Sequence, residues 1–258
     1  MSTVIYPSPI FGPIQSRRLG VSLGINLLPA DGKWCSFDCV YCECGLNAWH
    51  KPHTPLPTRQ EVLQALEARL RDMQTNGPRP DVLTFAGNGE PTMHPDFAAI
   101  AEGVKALRDR YFPEARMSIL SNATQITRPG VREALSLFDN CILKLDTVDK
   151  DYIERVDRPQ GHYDVDAIVD HLSAMSQSII IQTMFMAGEV DAHSVDNTTE
   201  AYIGPWLDAL RRINPRSVMI YTIDRETPYD TLRKATHEQL DAIGERVKSL
   251  GIDVSVSY

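Results

Sequence analysis

SLGINLLPADGKWCSFDCVYCECG, residues 22–45, holds the first strand of a repeating pattern and, directly after it, a loop with four of the chain's five cysteines. The strand portion, residues 22–29, alternates and ends in Pro29, as a buried strand does when it runs out into a loop. Cys35, Cys39 and Cys42 have the spacing C-x3-C-x2-C, which lets three thiolates from one loop meet a single soft metal centre. A [4Fe–4S] cluster held by only three cysteines leaves one iron without a protein ligand and open to a substrate or cofactor. Structural zinc on Cys35, Cys39, Cys42 and Cys44 is the competing reading, but four ligands inside ten residues suit tetrahedral zinc less well than two separated pairs. Cys141 stands apart at the start of a later strand and reads as an inert core thiol.

Outward from this loop, helical and strand patterns alternate. Val62, Leu63, Leu66, Leu70 and Met73 fall on one face of a helix that Pro57-Thr58 starts and Gly77-Pro78 stops. A second strand, DVLTFAG (81–87), follows, and then a helix marked by Phe97, Ile100, Val104, Leu107 and Tyr111. The cycle repeats through the strand RMSILSN (116–122), a short helix near 130–138, the strand CILKLD (141–146), a helical stripe from Val165 to Met175 and the strand SIIIQTMF (178–185). Trp206, Leu207, Leu210 and Ile213 mark the next helix, SVMIYTI (217–223) the sixth strand, and Leu240, Ile243, Val247 and Leu250 a last helix before DVSVSY.

Strands alternating with helices imply parallel crossovers, in either a doubly wound sheet or a partial or full (β/α) barrel with a core of about six strands. Both place ligands at the carboxyl ends of the strands. Those ends are polar here: the cysteine loop, GNGEP (87–91), SNAT (121–124), KLD (144–146), QT (182–183) and YTIDR (221–225).

At 258 residues with no linker, repeat or low-complexity segment, the chain reads as one α/β domain spanning 1–258. A chain of this length buries roughly three quarters of the surface its unfolded form exposes, so it needs no metal merely to hold a core. Any metal site is then expected to be functional. The first twenty residues carry prolines where a signal peptide has an apolar run, and no window has the length of a membrane span, so the expected location is cytoplasmic with no membrane partner. A net charge of -8 argues against a broad, non-specific grip on nucleic acid, while leaving room for a local basic patch.

With Tyr41 as the aromatic residue before the last cysteine, CSFDCVYC resembles the C-x3-C-x-aromatic-C motif of the radical S-adenosylmethionine (SAM) superfamily. The resemblance implies a [4Fe–4S] cluster on Cys35, Cys39 and Cys42, with SAM chelating the open iron and being cleaved reductively to methionine and a 5′-deoxyadenosyl radical. GNGEP resembles the family's Gly-Gly-Glu-Pro segment, Asn88 being a departure, and implies that Gly87, Gly89 and Glu90 receive the SAM amino group. An ordinary strand-to-helix turn is its structural alternative. By the same resemblance Ser121 and Asn122 contact the SAM carboxylate or ribose, unless they simply cap a helix. Lys144 and Asp146, on one face of the fourth strand by the period of two, meet the methionine carboxylate and the ribose, unless they form a buried ion pair with each other. Gln182, with Thr183 beside it, lies where the family contacts adenosine, and Tyr41 either reaches adenine through its backbone or packs on the cluster loop.

More narrowly, SRRLGVSLGINLLP, CSFDCVYCECG, TFAGNGEPTMHPDF and IYTIDRETP resemble short radical SAM proteins related to the wyosine-forming tRNA enzymes. This implies tRNA or nucleotide modification, with modification of a peptide or a small metabolite as the alternative, and a low-potential electron donor such as flavodoxin or ferredoxin. From another class, the chain reads as a non-enzymatic iron–sulfur or zinc binding protein. Arg17, Arg18, Asp224 and Arg225 are candidates for facing a substrate carboxylate or phosphate, or else solvated surface charges. His193 and Asn197 fall in a polar loop that is a candidate lid. No second cysteine cluster follows the barrel pattern, which disfavours the activases and peptide-modifying members that carry auxiliary clusters.

Overall fold

The computed structural model describes residues 3–16 and 20–258. Its main sheet has eight strands: β1 (Ile10–Ser16), β2 (Gly20–Ile25), β3 (Val82–Phe85), β4 (Arg116–Ser121), β5 (Asn140–Lys144), β6 (Ile179–Met184), β9 (Ser217–Tyr221) and β11 (Asp253–Ser257). They lie side by side in that order, and every pair from β2 to β11 is parallel. A doubly wound sheet reverses its strand order at a switch point. This order only advances, and it ends on two different edges, β1 and β11, so the architecture is an open, partial (β/α) barrel.

The helices are α1 (Arg59–Asn76), α2 (Phe97–Tyr111), α3 (Pro129–Leu135), α5 (Val165–Met175), α6 (Glu200–Ile213) and α7 (His237–Lys248). A single turn, α4 (Lys150–Tyr152), runs into a π-helical turn over Ile153–Asp157. Helix α1 starts where Thr58 and Glu61 cap each other: Thr58 Oγ1 accepts from the Glu61 amide at 3.2 Å and the Glu61 carboxylate accepts from the Thr58 amide at 2.7 Å. Its buried face is Val62, Leu66, Leu70 and Met73, as the periodicity expects.

One apolar cluster joins these helices to alternate strand residues: Leu23 and Ile25, Leu83 and Phe85, Met117 and Ile119, Cys141 and Leu143, Ile179 and Ile181, Val218 and Ile220. The intervening residues, among them Ser22, Gly24, Thr84, Leu120, Ile142, Gln182 and Met219, therefore point to the concave face, where they line a cavity of about 300 Å³. A larger cavity of about 840 Å³ sits at the opposite end, where the strands begin, among Arg79, Asp81, Glu114 and Arg116.

Several elements depart from the sequence reading. Strand β1 pairs antiparallel with β2; Gly12 and Pro13 interrupt its apolar pattern, and a proline is tolerated because the strand is an edge. Gly24 exists opposite Phe11, whose ring sits 2.2 Å from where a Cβ would stand. DVSVS forms a seventh parallel strand, β11. The segment expected to supply a lid instead forms β7 (Met186–Val190) and β8 (His193–Ser194), which with β10 (Leu232–Lys234) make a small antiparallel sheet. Asn197 is buried, donating to the Met184 carbonyl at 2.8 Å and accepting from the Met186 amide at 2.9 Å, so it braces the β6–β7 bend; His193 is exposed on β8. Among the described residues no helix is long and apolar enough to cross a membrane.

Candidate active site at the cysteine loop

The cysteine loop leaves the carboxyl end of β2 and is tied down from both sides. On one side it pairs with GNGEP: the Trp34 amide donates to the Asn88 carbonyl at 2.8 Å, and the Glu90 amide donates to the Trp34 carbonyl at 3.2 Å. On the other it pairs with residues 156–160, where Val40 donates to the Val156 carbonyl at 2.9 Å, Asp38 to that of Asp157 at 2.9 Å, and Gln160 to that of Ser36 at 2.8 Å. A second apolar cluster that includes Val40, Tyr152, Val156, Met184 and Met186 supports the loop from below. The segment after α4 carries no metal-binding pattern in the sequence, so only the structure identifies it as half of the clamp.

Cys35, Cys39 and Cys42 are half-buried and free on this clamped loop. The neighbouring Cys44 thiol, and then the Lys33 ammonium, hold Cys42 below the ordinary thiol value against the effect of burial. Burial pushes Cys35 up to about 12 and Cys39 well above the ordinary thiol value. The Asn122 amide faces Cys35 Sγ at 3.6 Å. Three thiols on one loop, beside a buried ammonium and a side-chain N–H, form a donor set suited to an anionic iron–sulfur cluster, whose coordination would deprotonate them. Cys44 is buried, and its thiol also reaches the Gly87 carbonyl at 3.6 Å. Cys141 lies in the core, pushed up to about 12 by burial, as expected of an inert thiol.

Next to the loop, GNGEP turns sharply. Gly87 and Gly89 have φ of 140° and 139°, and a Cβ on Gly89 would stand 1.9 Å from the Trp34 carbonyl oxygen. Glu90 is buried, which raises its carboxyl above the ordinary value. Its carboxylate accepts from the Thr92 amide (3.0 Å) and hydroxyl (2.5 Å), the Ser121 hydroxyl (2.8 Å) and the Asn122 amide (2.6 Å). It thus caps the short turn Pro91–Met93 and joins the end of β3 to the end of β4. Ser121 and Asn122 are engaged with Glu90, Ser36 and Cys35, which ties the β4 end to the cysteine loop.

Asn88, the departure from the Gly-Gly pattern, has a clear local role. Its side chain accepts from the Tyr6 amide at 2.7 Å and donates to the carbonyls of Tyr6 (2.9 Å) and Pro29 (2.8 Å), pinning residues 3–9 across the site. Asn88→Ala is expected to destabilise the protein by about 3 kcal/mol, three net hydrogen bonds' worth, and to speed hydrogen exchange at the Tyr6 amide while the Trp34 amide stays protected. Unchanged exchange at Tyr6 would show that the segment is held by other contacts.

Lys144 and Asp146 form a buried ion pair, and Lys144 also meets Asp157 at 2.8 Å. Asp146 accepts in addition from the Tyr41 hydroxyl and, at 2.9 Å, from the Met184 amide. The Lys144 ammonium lies 5.3 Å from the Tyr41 ring centroid and 5.8 Å from that of Phe37, so the Tyr41 side chain packs into this group. Gln182 lines the cavity; Thr183 does not, because the period of two turns it outward, where it donates to the Leu145 carbonyl at 2.8 Å.

The mouth of the cavity is bounded by Tyr6, Glu43 and Arg225. Arg225 Nη1 donates to Tyr6 Oη and to Glu43 Oε2, both at 2.6 Å, and the Tyr6 hydroxyl donates to Glu43 Oε1 at 3.0 Å. Burial, then the neighbouring Glu43 charge, pushes Tyr6 up to about 12. Asp224 faces Lys234 at 3.9 Å. Arg17 and Arg18 lie outside the described residues.

The family model of the radical SAM superfamily matches residues 31–200, from the cysteine loop to the start of α6. A UPF0026 protein of Helicobacter pylori strain J99 is 31% identical over 238 residues, covering 90% of this chain and 71% of that one, and a UPF0026 protein of Synechocystis is 31% identical over 224 residues, covering 85% and 77%. Among solved structures, a radical SAM methyltransferase from Sphaerobacter thermophilus superposes with a TM-score of 0.65 at 13% identity, over 91% of this chain and 65% of that one, a likeness of fold.

Proposed function

The chain belongs to the radical SAM superfamily and is one of the UPF0026 proteins, and on that premise we propose that Cys35, Cys39 and Cys42 hold a [4Fe–4S] cluster at which SAM is bound and cleaved. The carrying observation is the clamped loop with three thiols at the carboxyl ends of the strands, paired with the GNGEP turn whose Gly87 and Gly89 line the cavity on the concave side of the sheet. When bound, the cluster and SAM supply an electron and a 5′-deoxyadenosyl radical for removing a hydrogen atom from a substrate.

This chain's own residues would orient and enclose. Gly87 and Gly89 allow backbone to approach closely at the site, and Glu90 holds that turn against β4. The Oε2 atom of Glu90 accepts one hydrogen bond from the protein, so a ligand ammonium has a further lone pair to use. Lys144 and Asp146 hold the Tyr41 side of the loop in place through their ion pair. Tyr6 and Arg225 screen the cavity mouth from water.

For the substrate, we favour a small metabolite or a nucleotide-sized group. The lining beyond the turn is neutral, Ser22, Thr84, Leu120, Ile142, Gln182 and Met219, which suits an uncharged reacting group beside SAM. A single base presented from tRNA is such a group, whereas a net charge of -8 gives a whole tRNA little to hold. A flavodoxin or ferredoxin is the class of electron donor proposed.

The test is anaerobic reconstitution with iron and sulfide, followed by dithionite and SAM, with chromatography for 5′-deoxyadenosine. Its formation, dependent on the cluster, is the expected result; a colourless protein with tightly bound zinc and no SAM cleavage overturns the reading. Added total tRNA against a small-metabolite extract then separates the substrate classes by which one raises turnover.

A further inference from the structure

Lys33 has an environment unlike that of any surface lysine. Its ammonium is buried, with a side-chain exposure of 1%, inside the cysteine loop itself. It donates to the Gly45 carbonyl at 2.7 Å, where the loop ends, and it meets Asp38 at 3.3 Å. The Lys33 amide donates to the His50 carbonyl at 2.7 Å, so the residue is fixed at both ends.

Removing an ammonium from water costs several kcal/mol unless a counter-charge of good geometry repays it. Asp38 is a loose partner: the contact is long, the carboxylate is 17% exposed, and the same oxygen accepts from the Asn47 amide at 2.7 Å. The buried Lys144 on the other side of the loop makes the contrast, because Asp146 and Asp157 together more than neutralise it. Asp38 alone therefore leaves the Lys33 charge incompletely neutralised, inside the loop that carries Cys35, Cys39 and Cys42.

We propose that Lys33 is a positioning residue for electron entry: a fixed, buried positive charge inside the cysteine loop that raises the reduction potential of the cluster bound by this loop. The inference rests on the cluster reading above. Reduction adds one electron, and so one negative charge, to the loop in which the Lys33 ammonium is buried. Charge and hydrogen bonds at the sulfurs are the protein's main controls over such a potential. Asp38 opposes Lys33 and sets how much of its charge the sulfurs feel.

The experiment is an EPR-monitored redox titration of the full chain, reconstituted with iron and sulfide, as wild type, Lys33→Met and Asp38→Asn. Methionine keeps the length of the side chain and removes the charge. At the wild-type midpoint, Lys33→Met with full iron content is expected to show a reduced-to-oxidised ratio lowered about tenfold, a shift of about 59 mV to more negative potential. Asp38→Asn, which keeps the acceptor for Asn47, is expected to move the midpoint the other way, and it decides the matter if Lys33→Met does not fold or take up iron. A midpoint unchanged in Asp38→Asn, or in iron-replete Lys33→Met, overturns the proposal and reduces Lys33 to a loop tie. A wild-type protein that takes up no cluster overturns the reading of the site itself.

Discussion

Cys39→Ser is expected to abolish the cluster's charge-transfer absorbance and to lower 5′-deoxyadenosine formation by at least about a thousandfold, because losing the cluster removes the group that carries the chemistry. Cys35→Ser and Cys42→Ser should behave alike. The discriminating variant is Cys44→Ser. In a mononuclear zinc site all four cysteines are ligands and any of them is indispensable. Here the Cys44 thiol donates to the Gly87 carbonyl at 3.6 Å, which a serine hydroxyl can imitate, and Cys44 falls outside the C-x3-C-x2-C spacing. Cys44→Ser should therefore keep its iron and most of its SAM cleavage, and Cys141→Ser, in the core on β5, should change neither. Iron content and product formation measured side by side give the answer. Equal loss of bound metal in Cys44→Ser and Cys39→Ser would return the site to zinc.

The parallel strands were legible because both faces of each are covered or line a tight interior, so they read as apolar runs bounded by polar ends. Their carboxyl ends fell at the polar stretches the sequence exposes, and Cys35, Glu90, Ser121 and Asn122 do meet there. Edge and accessory elements were not legible. Gly12 and Pro13 break the pattern of β1, and β8 is two residues long. Contacts that span the chain were equally hidden. Nothing near Asn88 in sequence shows that it holds Tyr6, nor anything near Arg225 that it meets Glu43.

The same distinction applies to charge. A lysine two residues before a cysteine motif and an aspartate in DRPQG are ordinary by composition, yet Lys33 and Asp157 both end up buried beside thiols. Alternation did place Lys144 and Asp146 on one face, and it should have separated Gln182 from Thr183, whose neighbouring positions in a strand must point to opposite sides. In the structure Lys144 and Asp146 take the ion-paired arrangement, with Asp157 as a third member.

Gly89→Ala is expected to be the most damaging substitution outside the cysteines. Two penalties combine at this position. A φ of 139° is strained for any L side chain, at about 1–3 kcal/mol. A Cβ would also stand 1.9 Å from the Trp34 carbonyl oxygen, and that atom is backbone, so no rotamer change relieves the collision. Relief requires the cysteine loop to move off GNGEP, with loss of the Glu90-to-Trp34 and Trp34-to-Asn88 hydrogen bonds that join them. Overpacking of this kind adds about 1–3 kcal/mol, for a total of about 4 kcal/mol. Gly77→Ala isolates the first penalty: its φ is 60°, at the end of α1, and a Cβ there meets nothing within 4 Å. It should lower stability by about 1 kcal/mol and leave reconstitution untouched. Denaturant unfolding and iron uptake measured on both variants separate backbone strain from displacement of the loop. If Gly89→Ala bound iron as wild type does, the pairing of Trp34 with Gly89 would not be what positions Cys35 for the cluster.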